Sequence, residues 1–183
     1  MSRLLALLFL PLVAHAADVK YSRDSDSGLE TWLRNANGFS MHLTQISTEQ
    51  AQAFFLARGF PEDAAKHYAQ ACVFMTVSRN TGKQPLSYDL ADWQFRPAGG
   101  QWQPLKLKED WMREWTARGL DQPARIAFEW SQHPTWQDYA PGDWNQGMTT
   151  YALPRGSRFG LRYSWQRQGK RHDGQIENIR CAD

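Results

Sequence analysis

The chain has 183 residues, with 21 Lys and Arg set against 19 Asp and Glu and a formal net charge of +2. That balance excludes the basic excess a nucleic-acid binder needs to release phosphate counterions, and no polybasic run marks a membrane-surface patch. Aromatic residues make up 13% of the chain, including nine Trp. They supply either a large core or a stacking platform for a flat-faced ligand, since each ring carries much buriable area.

The N-terminus reads as a cleavable export signal. Arg3 gives a positive start, Leu4–Val13 an apolar stretch broken only by Pro11, and Ala14-His15-Ala16 an A-x-A cleavage site. The stretch is half of what a membrane-spanning helix requires. Cleavage after Ala16 leaves residues 17–183, expected as one β-rich domain in the periplasm or secreted. Removing Arg3 takes Lys and Arg from 21 to 20 against 19 acids, a mature charge of +1.

Residues 17–35 read as a polar lead-in with one short strand near Leu29–Leu33. Phe39–Ile46 alternates, with Phe39, Met41 and Leu43 on one face and Ser40, His42 and Thr44 on the other. Ser47 and Gln50 form a capping box opening a helix, and Gly59 stands at its C′ position. Phe60-Pro61 opens a second helix towards Cys72, so 48–71 is expected as a helical hairpin inserted between strands. Cys72–Val77 reads as a central strand covered on both faces. Further strands are expected at Leu86–Leu90, Trp93–Arg96, Trp102–Leu107, Ala124–Ser131, Met148–Leu153, Arg158–Gln168 and Gln175–Cys181. A third helix is expected at Glu109–Arg118. No internal repeat is evident. The pattern predicts a mainly β protein with short helices (α+β), an antiparallel sandwich or barrel-like arrangement closed by one disulfide, Cys72–Cys181.

Three constellations bear on function. The segment His133–Gly147 reads as a long irregular loop in which Trp136, Tyr139 and Trp144 stand beside Asp143 and Asn145. Rigid aromatics among amides and carboxylates suit a recognition surface, or plug the open end of the sandwich. Soft and imidazole ligands raise copper handling: His42 is the best single candidate, with Met41 and His67 as companions, although Met41 and His42 point to opposite strand faces. Asp138 and Asp143 raise a small hydrolase acting on an envelope polymer; no G-x-S-x-G elbow or phosphate loop is present. The leading expectation is a non-catalytic exported binding or accessory domain that presents the aromatic loop to an envelope protein or small ligand. Copper binding and hydrolysis are the alternatives.

Overall fold

The computed structural model describes residues 19–183, so the export signal expected at 1–16 lies outside the described residues. Two antiparallel sheets face one another as an open, sandwich-like pair. The first sheet contains β1 (Val19–Arg23), β2 (Glu30–Ala36), β3 (Phe39–Ile46), β4 (Cys72–Asn80) and β9 (Trp144–Tyr151), in that spatial order. The second is built on β10 (Arg158–Arg167). One edge of β10 pairs with β11 (Lys170–Arg180). The other edge meets β6 (Gln94–Pro97) along its first half and β5 (Leu86–Asp89) near its end. β7 (Gln103–Pro104) and β8 (Trp136–Tyr139) complete that sheet at its margins.

Strand alternation builds the core. Every second residue of β3 (Phe39, Met41, Leu43) is fully buried between the sheets, against Phe159, Leu161, Tyr163 and Trp165 of β10. β4 has a second covered face, because Val73 and Met75 pack under the helices. The continuous apolar run from Cys72 thus reflects burial on both sides. Cys72 and Cys181 form the disulfide, with Cα atoms 5.3 Å apart, tying the chain end to an interior strand.

Four helices cover the outer face of the first sheet: α1 (Thr48–Leu56), α2 (Glu62–Ala69), α3 (Lys108–Ala117) and α4 (Gln122–Ser131). They form two hairpins offset by 60 residues, from Thr48 to Lys108 and from Glu62 to Gln122. Equivalent bonds recur at that offset. Gln50 Oε1 accepts from the Ser47 N–H and Asp110 Oδ2 from the Leu107 N–H, both at 2.9 Å. The N–H of Phe60 reaches the Phe55 carbonyl at 3.1 Å, and that of Leu120 the Trp115 carbonyl at 2.9 Å, closing each first helix over a left-handed glycine. The inward positions also match. Ala51, Phe55, Phe60, Ala64 and Tyr68 correspond to Trp111, Trp115, Leu120, Ala124 and Phe128, and all ten lie in one buried cluster.

Outside the segment 133–147, the structure corrects three expectations. Ala124–Ser131 is helical: the Asp121 carboxylate accepts from the Ala124 N–H and Pro123 stands in the first turn, so local capping overrides the β-branched and aromatic content of that stretch. The lead-in carries two strands, because β1 and β2 pair over five positions. The internal repeat that the sequence conceals is the duplicated hairpin. Between 47–70 and 107–130 only Glu49/Glu109, Ala57-Arg58-Gly59/Ala117-Arg118-Gly119 and Ala64/Ala124 are identical; equivalence rests on burial and capping.

Candidate functional site

The segment 133–147 is ordered by pairing into strands, which corrects the irregular loop expected there. After α4, Gln132 makes a parallel bridge with Met148, and the His133 N–H donates to the Met148 carbonyl at 3.0 Å. Gly147 permits this approach, since a Cβ there would run into the backbone of Gln132 and His133. The chain then enters the second sheet as β8, turns at 140–143, and returns in the first sheet as β9.

This path separates the residues singled out by sequence. Tyr139 points inward and is buried. Asn145 also lies on the inward face of β9, opposite Ser78, and its side chain meets the Tyr88 and Tyr139 phenols. Asp143 shapes the turn: its carboxylate accepts the Ala140 N–H at 2.8 Å, and its carbonyl accepts from Asn80. Trp136 and Trp144 are exposed at 57% and 56%. By strand alternation Trp136 leaves the outer face of the second sheet and Trp144 that of the first.

A more exposed indole stands beside Trp144's face. Trp130, at the end of α4, is 84% exposed. With Lys108, Glu129, Gln132, Pro134, Asn145 and Gln146 it lines an open cleft of about 460 Å³ between α4 and β9. Gln132 is fixed there, accepting from the Tyr68 hydroxyl at 3.1 Å and donating to Ser131 at 2.9 Å. Gln146 is exposed, two residues along the strand from Trp144 on the same face. His42 belongs to this outer face as well, in the row His42–Val77–Gln146 across three strands. Sequence reading missed Trp130 because it placed 124–131 in a strand. With Ala124 and Phe128 inward on a helix, Ile126 and Trp130 share the outward face.

Beneath Asn145 lies a buried polar cluster. Ser78 Oγ is 2.9 Å from both His133 Nε2 and the Tyr139 hydroxyl, and the Tyr88 hydroxyl is 3.0 Å from the same imidazole nitrogen. His133 is 1% exposed, and burial holds its pKa down at about 3, so the ring is neutral around pH 7. Burial also pushes the Tyr88 and Tyr139 phenols above their ordinary value. A serine within reach of an imidazole is a nucleophile–base geometry; here Ser78 is fully buried between the sheets. Asp138 borders a separate surface groove with Ser87 and Gln166, which Asp143 does not line.

Of the remaining metal-ligand candidates, Met41 is buried in the sandwich while His42 faces the other way. His67 lies on α2, its Nε2 2.7 Å from Glu114 Oε1. Among the described residues no group of three or more His, Cys, Asp or Glu is placed to share an ion. Glu114 joins the two hairpins. Partial burial raises its pKa, but the Lys106 ammonium, His67 and Arg118 around the carboxylate outweigh this and hold it below the ordinary value. Lys106 also sits 3.4 Å above the Trp111 ring centre.

No family model, curated protein or solved structure matches this chain.

Proposed function

We propose that this protein is a non-catalytic exported binding or accessory domain whose contact surface is the aromatic face formed by Trp130 and Trp144 around the α4–β9 cleft. The observation that carries the reading is the 84% exposure of Trp130 on a helix whose inward face is secured by buried Ala124 and Phe128. An indole left in water forgoes the stabilisation that burial of ~150–250 Å² of aromatic surface supplies, and a partner that covers it recovers that stabilisation. The deep burial of Ser78 and His133 supports a structural rather than hydrolytic role for that pair. The signal-like pattern of residues 1–16 and the disulfide support export to an oxidising compartment.

A photocrosslinking residue placed at 130 or 144, in cells expressing the full chain, tests the reading. Discrete adducts are expected from both positions and none from Lys20, which lies on β1 at the opposite edge of the first sheet. Equal labelling from all three positions, or none from 130 and 144, refutes it. Intact mass of the protein from the envelope fraction is expected to start at residue 17; retention of residues 1–16 removes the export reading.

A further inference from the structure

The duplicated hairpin provides a control within the molecule. Positions that the fold needs are apolar in both copies: Phe55 and Trp115, Phe60 and Leu120, Tyr68 and Phe128 are all buried. The outward positions diverge. Where the first hairpin carries Lys66 and Gln70, the second carries Ile126 and Trp130, exposed at 46% and 84%. The first copy shows that Gln is sufficient at this place for the hairpin to pack, so folding does not require the indole of Trp130.

The groups around that indole define what it meets. Lys108 and Glu129 contribute one charge of each sign, so the cleft has no net field for a phosphate, a polyanion or a basic peptide. The non-polar contact comes from Trp130 and Pro134, without the enclosed apolar hole that an aliphatic or aromatic anchor of a protein partner fills. The remaining groups are three carboxamides, each carrying two donors and an acceptor oxygen. Gln132 is buried and held by Tyr68 and Ser131, Asn145 turns inward to the Tyr88 and Tyr139 phenols, and the exposed Gln146 presents its amide to the cleft. An exposed amide bonds the adjacent donor and acceptor hydroxyls of a sugar, and a flat exposed indole stacks on the C–H face of its ring.

We propose that the α4–β9 cleft binds an uncharged oligosaccharide, with Trp130 as the stacking platform and the exposed Gln146 as the hydroxyl-reading amide. This rests on the binding role assigned to the same face above. NMR titration of the full chain with cellohexaose, N-acetylchitohexaose and maltohexaose at millimolar concentration tests it. At least one is expected to give saturable shifts of the Trp130 indole N–H and the Gln146 side-chain amide. Trp130→Gln, the residue the first hairpin already uses, is expected to weaken that binding by roughly tenfold while leaving the melting temperature unchanged. Saturable binding that Trp130→Gln leaves intact overturns the proposal, as does the absence of a saturable shift with all three sugars. If the sugars fail while crosslinks from 130 and 144 persist, the saccharide class falls and the binding face stands; failure of both removes both.

Discussion

At the residue scale, His133 connects fold to acidity. Its pKa lies at about 3 in the folded protein against 6.5 for the free side chain, because burial disfavours the imidazolium. Between those values the unfolded chain binds a proton that the native protein does not. Stability is therefore complete above about pH 6.5 and declines as the pH falls towards 3, by on the order of 5 kcal/mol at the acid end. His133→Gln retains an acceptor for Ser78 and Tyr88 but cannot titrate. It is expected to be less stable at neutral pH by about 1–3 kcal/mol, with a flatter dependence below pH 6.5 in denaturant titrations. Parallel acid profiles for the two proteins would show that other groups govern acid unfolding. Gly147 acts beside it: Gly147→Ala forces the Gln132–His133 backbone off β9. Its expected cost is about 3 kcal/mol or more by thermal or chemical denaturation, because the obstacle is main chain.

At the element scale, the two hairpins should respond alike to equivalent changes. Gly59 and Gly119 have φ of +82° and +71°, with open space around the site of a Cβ. Gly59→Ala and Gly119→Ala are each expected to cost about 1 kcal/mol, a purely backbone penalty of near-equal size. Two unequal losses would mean that the capping motifs are not equivalent. Much of this layer was legible in the sequence. Ser47, Gln50, Gly59 and Pro61 announce the first hairpin through capping chemistry that acts within a few residues. The second was half read. Trp111, Met112 and Trp115 gave α3, whereas Ala124–Ser131 was expected as a strand although Asp121 and Pro123 already marked a helix start. That error concealed the outward face of Trp130, and with it the part of the candidate site that carries the proposal.

At the scale of the whole molecule, the first sheet is the shared wall of two cores, one facing the second sheet and the other facing the helices. The disulfide joins β4, which serves both, to the end of the chain across 109 residues. The double variant Cys72→Ala/Cys181→Ala is expected to lose about 2–5 kcal/mol, mainly by enlarging the unfolded ensemble, and urea midpoints measured with and without reductant check this. A midpoint unchanged on reduction would show that the loop closure contributes little.

The amino-acid sequence by itself determined the fold class, the first helical hairpin, the alternation of β3 and the pairing of the two cysteines. Capping, strand period and thiol count act locally or by elimination. Only the tertiary structure decided which sheet each strand joins. It carried β8 and β9 into different sheets, sending Tyr139 and Asn145 inward and Trp136 and Trp144 to different outer faces. It also brought Ser78, Tyr88 and His133 together from separate segments, and it placed Trp130 and Gln146 on the lining of one cleft. The reason is physical: strand period fixes that neighbouring side chains point opposite ways, but which face meets a core depends on partners distant in the chain.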